Sequence, residues 1–220
     1  MNDAFEGPIR TLLYLLLGAA LMAVVPATLE TTSASDVPAM WWAARSFGLV
    51  AYLSLWLSML FGVLVSSRGG GGLLHRATLL QLHQKWAVAS LVVTSLHVLS
   101  TMADAEYGVT PLALLWPLAS ETQTGEIGLG TFALWTMVTI ASTTAFFDTI
   151  PRWAWRAVHA TAFGAYVLAL VHGFTAGTDT AAPVVRATYA GTSAILLATI
   201  LQRILLAWTR RQMRRRRAKS

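Results

Sequence analysis

The chain has 220 residues, of which 55% are hydrophobic and only 12% are charged, and it contains no cysteine. Soluble domains carry about 25% charged residues, which excludes an ordinary soluble enzyme, a secreted disulfide scaffold and a disordered segment. The missing cysteines also exclude thiolate iron–sulfur clusters, cysteine zinc sites and c-type haem attachment. Seven of the sixteen cations lie in the last eleven residues. The net charge of +6 therefore reflects a basic tail, and nucleic acid is not a predicted partner.

Apolar segments long enough to cross a bilayer occur six times along the chain. A bilayer core of about 30 Å requires about 20 mostly apolar helical residues. The polar, acidic start of the first segment and the lack of a small-residue cleavage pattern argue against a signal peptide. We therefore predict an all-α membrane bundle, one domain over 1–208 with a basic cytoplasmic tail over 209–220. Its six predicted transmembrane helices are 10–29, 41–66, 80–102, 128–148, 153–175 and 185–208.

Three further features of the sequence have simple explanations. The apolar stretch Pro111–Ala119 is too short to cross a bilayer, so we predict a re-entrant or interfacial part of an outer loop. The run Gly69–Gly72 lacks a nucleotide-binding pattern and is predicted to be an inner linker. Tryptophan favours the membrane interface, which explains its occurrence near span ends at Trp41, Trp42, Trp116, Trp153, Trp155 and Trp208.

The distribution of cations predicts the orientation in the membrane. Six spans place both termini on one side, together with 14 of the 16 Lys and Arg residues. Only Arg45 and Arg186 lie on the other side. Because Lys and Arg concentrate in cytoplasmic loops, we predict an integral protein of the bacterial inner (plasma) membrane, in contact with lipid and with both termini cytoplasmic.

Four of the five histidines lie within predicted spans. His75 falls in an inner loop and is predicted to be solvated. The third span contains His83 and His97, and the fifth contains His159 and His172. Ionisable side chains within a membrane are costly and usually mark a functional site. These four histidines are therefore the candidate site.

The spacing of the four histidines predicts two levels in the membrane. The third and fifth spans run in the same direction, and their histidines are separated by 14 and 13 residues, a rise of about 20 Å. His83 and His159 form an inner pair, and His97 and His172 an outer pair. Two imidazoles facing each other are the axial ligands of a b-type haem iron, whereas zinc and di-iron centres need further ligands. Thirteen residues do not return to the same helix face, so either a local distortion of the fifth span, which Gly164 would permit, or a rotation of one haem is expected.

Three segments resemble the ferric reductase-like transmembrane domain, the family of NADPH oxidases, ferric-chelate reductases and bacterial MsrQ (YedZ) haem subunits. The segments are RSFGLVAYLSLWLSMLFGVLVSSR, LHQKWAVASLVVTSLHVL and RWAWRAVHATAFGAYVLALVHG, and the resemblance covers about residues 45–208. It implies a bundle that holds two b-type haems and passes electrons across the membrane. By this resemblance, His83 and His159 ligate the inner iron, and His97 and His172 the outer iron. Candidate partners of the haem propionates are Arg45 and Arg186 outside, and Arg156, Arg76, Lys85 and Arg152 inside.

Two departures from the family narrow the expected function. The chain ends soon after the sixth span without an FAD or NAD(P)H module, so the expected donor is a quinol or a separate flavoprotein and the acceptor lies at the outer face. Thr101 stands where NADPH oxidases carry a further histidine, which argues against superoxide production. The expected role is the membrane electron-transfer subunit of an oxidoreductase, for which the stand-alone YedZ-type subunits are the nearest architectural analogue.

Two other classes of protein remain possible from the residues. A haem-free transporter or assembly factor would line a proton or metal path with these histidines, and it would need acidic partners at membrane depth. The third and fifth spans contain none. A b561-type cytochrome would also use four histidines and would reduce a small molecule directly.

Overall fold

A computed structural model describes residues 39–67, 75–104, 109–120 and 123–217. The predicted first span, 10–29, and the glycine run 69–72 lie outside these ranges, as do the last three residues of the basic tail. No strand occurs in the described part of the chain. One 3₁₀ turn covers Thr178–Ala181, and the helices are α1 (Ala39–Ser66), α2 (Arg76–Ala103), α3 (Pro111–Leu115), α4 (Thr124–Ala145), α5 (Arg152–Ala160), α6 (Ala162–Ala176) and α7 (Pro183–Arg217).

Five helical segments are long and apolar enough to cross a membrane: α1, α2, α4, α5 with α6, and α7. The all-α prediction is confirmed, and each of these segments corresponds to one predicted span. α2 begins four residues before its predicted start and α4 also four, at Thr124. Their first turns contain polar residues, which a hydropathy criterion omits although they continue the helix.

The apolar stretch 111–119 forms the short helix α3, which lies against α4. The amide of Ala113 donates to the Thr110 side chain (3.4 Å), which caps the helix. From α4, Thr131 Oγ1 donates to the Ala113 carbonyl (3.2 Å) and Trp135 Nε1 to the Leu114 carbonyl (2.8 Å). Five helical residues are too few to cross a bilayer, as the sequence predicted.

A buried hydroxyl cluster joins α1, α6 and α7 near the middle of the bundle. Tyr52 Oη lies 2.9 Å from Tyr166 Oη and 2.7 Å from Thr192 Oγ1. Trp56 Nε1 donates to the Thr192 carbonyl (2.8 Å). Polar groups in a bilayer interior have no water to bind, so such groups must satisfy one another. The cluster fixes α7 against the two central helices, α1 and α6.

The fifth predicted span is broken at Thr161, between α5 and α6. The Thr161 amide donates to the Val158 carbonyl (3.0 Å), and its hydroxyl donates to the same carbonyl (2.6 Å). These bonds three residues back tighten the turn and interrupt the α-helical pattern. A distortion between His159 and His172 was one of the two alternatives expected, and it occurs at Thr161, three residues before the glycine that was expected to permit it. Gly164 lies inside α6, and no other group would contact a Cβ there.

Candidate functional site

The outer pair consists of His97 on α2 and His172 on α6, with ring centroids 6.1 Å apart. His97 Nδ1 lies 2.8 Å from the Ala44 carbonyl, and His172 Nδ1 lies 2.7 Å from the Glu126 carbonyl. A carbonyl oxygen only accepts, so each Nδ1 carries the hydrogen and donates it. The lone pair of each ring is therefore on Nε2, the nitrogen left free to bind a metal.

The inner pair consists of His83 on α2 and His159 on α5, with ring centroids 5.9 Å apart. His83 Nδ1 donates to the Ser58 carbonyl (2.8 Å), in the same manner as the outer histidines. His159 is different, because its buried Nδ1 has no hydrogen-bond partner among the described residues. Its ring stacks instead on Trp155, with centroids 4.8 Å apart and planes 21° apart.

Three of the four histidines are docked by one repeated arrangement. Each donates to a helix carbonyl, and the residue four positions after that carbonyl is a glycine against which the ring lies. A Cβ at these glycines would come within 2.9 to 3.1 Å of ring atoms. The carbonyl and glycine positions are Ala44 and Gly48 for His97, Ser58 and Gly62 for His83, and Glu126 and Gly130 for His172.

These glycines are site residues that the sequence reasoning missed, although a signal was present. Gly48 and Gly62 are separated by 14 residues, the same spacing as His83 and His97. Adjacent antiparallel helices with equal spacings bring the two glycines opposite the two histidines. The repeated interval in consecutive spans was therefore a sequence signal that pairs the two glycines of α1 with the two histidines of α2 by level.

The helices that carry facing histidines do not pack closely on each other. α2 packs mainly on α1, and α6 packs mainly on α4 and α1, which leaves a gap between α2 and α6. A mostly apolar cavity of about 190 Å³ lies around the outer pair and is partly open to the surface. Its walls include both outer histidines, Tyr52 and Thr101.

The donor set and the ring separations fit a haem iron better than a protein-only metal site. No group of three or more His, Cys, Asp or Glu that could hold a metal occurs within the described ranges. Haem supplies four equatorial nitrogens, so two imidazoles complete its iron, whereas structural zinc takes four protein ligands. An imidazole nitrogen lies about 2 Å from its metal and about 1.2 Å from its ring centre, which predicts centroids about 6.4 Å apart across one iron. The observed separations are 5.9 and 6.1 Å.

The predicted propionate partners lie in different surroundings. Arg45 lines the cavity. Its side chain forms an ion pair with Asp179, in which Nε donates to Oδ2 (2.6 Å) and Nη2 to Oδ1. Its guanidinium also lies 3.7 Å from the ring centre of Trp41. Arg186 is exposed and outside the cavity lining, and its Nη2 donates to the Ala181 carbonyl (3.3 Å). Exposed positions are also occupied by Arg156, Arg76, Lys85 and Arg152, and by His75. The structure thus brings one predicted cation, Arg45, to the cavity.

The fold and the site define a helical bundle with membrane-spanning dimensions that carries two facing histidine pairs at two levels. Residues 39–179, nearly two thirds of the chain, match a family described as "Domain of unknown function (DUF8596)", and the chain belongs to this family. The matched region includes all four paired histidines and the three glycines that contact them. No curated protein and no solved structure matches the chain.

Proposed function

We propose that the protein is a di-haem b-type electron-transfer protein of the membrane. The inner pair, His83 and His159, would hold one haem, and the outer pair, His97 and His172, the other. The observation that carries this proposal is the pair of ring separations, 5.9 and 6.1 Å, between histidines on helices that are not packed together. Both separations are within about 0.5 Å of the span expected for two imidazoles that bind one iron.

Hydrogen bonds and glycine contacts orient three of the four imidazoles in a way that favours metal binding. Carbonyl acceptors hold the Nδ1 hydrogens of His83, His97 and His172, which fixes the tautomer and the ring orientation and raises the basicity of Nε2. The glycines allow these rings to lie against α1 and α4. Bound haem would supply reversible one-electron chemistry, and the apolar cavity walls would exclude water from it.

The separation of the two levels supports the proposal that electrons cross the membrane through both centres. Helix rise places them about 20 Å apart, against a hydrocarbon core of about 30 Å. Tyr52 and Tyr166 lie between the levels, with stacked rings 5.8 Å apart. Electrons would enter from a cytoplasmic or quinol donor and leave to an acceptor at the outer face. The chain would then be the membrane electron-transfer subunit of an oxidoreductase, with six spans and both termini cytoplasmic.

The contacts of the histidines weigh against a haem-free proton or metal path. Such a path needs carboxylates beside the histidines. In the described part of the chain, the paired histidines contact backbone carbonyls, Ser58 and Trp155, and the one ion pair at the cavity joins Asp179 to Arg45. A b561-type role shares the ligand chemistry and differs in the acceptor.

Haem content and the reduced-minus-oxidised spectrum test the proposal. We expect two b-type haems per chain after expression with sufficient haem, because four imidazoles supply two axial pairs. A His83→Ala, His97→Ala double variant, lacking one ligand from each pair, should lose most of the haem. Well-folded protein that contains no haem would exclude the proposed function.

A further inference from the structure

His159 is docked differently from the other three histidines. The residue fourteen positions after Gly130 on α4, which would complete the repeated glycine arrangement, is Thr144. No described group accepts a hydrogen bond from the buried Nδ1 of His159. His159 also lies on the short helix α5, one residue before the helix ends at Ala160.

Trp155 takes the place of the missing carbonyl and glycine. Its indole stacks on the His159 ring at 4.8 Å, and its Nε1 donates to Thr144 Oγ1 (3.3 Å). Phe147 packs edge-on against the Trp155 ring, with ring centroids 5.0 Å apart. Stacking restrains the plane of the imidazole, but it does not fix the Nδ1 direction as a hydrogen bond does. His159 is therefore the least restrained of the four rings.

Hydrogen bonds from Nδ1 raise the basicity of a metal-bound histidine, and their loss weakens metal affinity about 10–100-fold. On the basis of the proposed haem function, we infer that Trp155 positions His159 and that the His159 side of the inner centre is the site at which a small external ligand binds the iron. In the haem-loaded protein, the incoming neutral ligand would replace His159 Nε2 as the donor to the iron, one bond being lost and one formed with no change in oxidation state. The outer centre, where both rings donate to carbonyls, stays closed to such ligands.

Carbon monoxide is a suitable probe, applied to the full-length, haem-loaded protein after reduction. Trp155→Leu removes the stacking partner and should raise the affinity for carbon monoxide about tenfold, because His159 loses its remaining restraint. Trp155→Phe keeps an aromatic face and should stay close to the wild-type value. Trp153→Leu is the matched control, because Trp153 lies two residues away on α5 and is 76% exposed. Electron paramagnetic resonance of the oxidised protein should show the inner low-spin signal altered by Trp155→Leu and the outer signal unchanged.

Equal carbon monoxide binding in Trp155→Leu and Trp153→Leu would overturn the inference. Carbon monoxide binding at the outer centre, in place of His97 or His172, would overturn it as well. If Trp155→Leu does not accumulate, Thr144→Val removes only the hydrogen-bond partner of the indole and should give a smaller rise in the same direction. No rise in that variant would also overturn the inference. Well-folded protein without haem would contradict the proposed function itself. Two haems per chain, with carbon monoxide binding unchanged by Trp155→Leu, would contradict only the inference about Trp155 and His159.

Discussion

Gly130 lies directly against the imidazole of His172, so that a Cβ at residue 130 would lie 2.9 Å from ring Cε1 and Nδ1. Real Cβ atoms do not approach this closely, and Gly130→Ala must displace the ring or α4. The Nδ1 bond to the Glu126 carbonyl would then be disturbed. We expect Gly130→Ala to lose most of the outer haem and to retain the inner one, as measured by haem per chain and by the reduced-minus-oxidised spectrum.

Gly125→Ala is the matched control for this prediction. Gly125 lies on the same helix, and no group lies within 4 Å of a Cβ built there. Gly125 is the second residue of α4, where alanine has a higher helix propensity than glycine. Gly125→Ala should therefore keep both haems and at least the wild-type melting temperature. Equal haem loss in the two variants would show that helix substitution as such, and not contact with His172, is responsible.

Single histidine substitutions should divide into two pairs. His83→Ala and His159→Ala should remove the same spectral component, because these rings face each other at 5.9 Å. His97→Ala and His172→Ala should remove the other component. The control is His75→Ala at an exposed position, which should leave both components intact. A common spectral loss in His83→Ala and His172→Ala would contradict the pairing.

The pairing of the histidines was predictable because helix rise is nearly constant. Spacings of 14 and 13 residues on spans of the same direction place His83 level with His159 and His97 level with His172, and the structure shows these rings facing each other. Hydropathy alone located the five spans that lie within the described residues.

Contacts that depend on helix rotation were not predictable in this way. Trp155 was interpreted as an interfacial residue because it lies near a span end, yet it stacks on His159. The ion pair between Arg45 and Asp179 joins residues 134 positions apart, and no local pattern indicates it. At the break, the Thr161 amide and hydroxyl both donate to the Val158 carbonyl. No local pattern indicates this break, because Thr136 and Thr139 make similar hydroxyl bonds inside the unbroken helix α4.

Tyr52→Phe should lower stability without removing haem. The substitution deletes the hydroxyl that joins Tyr166 to Thr192, and a buried hydrogen bond contributes about 1 kcal/mol. For a chain of this size, the expected fall in melting temperature is about 2–4 °C. Tyr189→Phe is the control, because Tyr189 packs on the Tyr52 ring and its hydroxyl makes no hydrogen bond within the described ranges. A larger loss in Tyr189→Phe would show that ring packing, and not the hydroxyl cluster, holds α7.

The predicted topology is open to a direct measurement. Reporters fused before residue 1 and after residue 220 should both indicate the cytoplasm, because 14 of the 16 cations are assigned to that side. Moving the basic tail to the other side would cost about 1 kcal/mol for each cation that leaves the anionic leaflet surface. A periplasmic signal from either terminus would reverse or break the assignment of inner and outer pairs.

Electron flow across the bilayer is the most demanding prediction. The protein would be reconstituted in vesicles of known orientation, reduced from the inner side with an impermeant donor, and observed through an impermeant acceptor on the other side. We expect crossing in the wild-type protein because the two levels, about 20 Å apart, together bridge most of the ~30 Å core. His97→Ala should abolish crossing while the inner centre is still reduced, and His75→Ala should leave crossing unchanged. If both centres are reduced but no electrons reach the acceptor, or if crossing persists in His97→Ala, the histidine pairs do not form a transmembrane path.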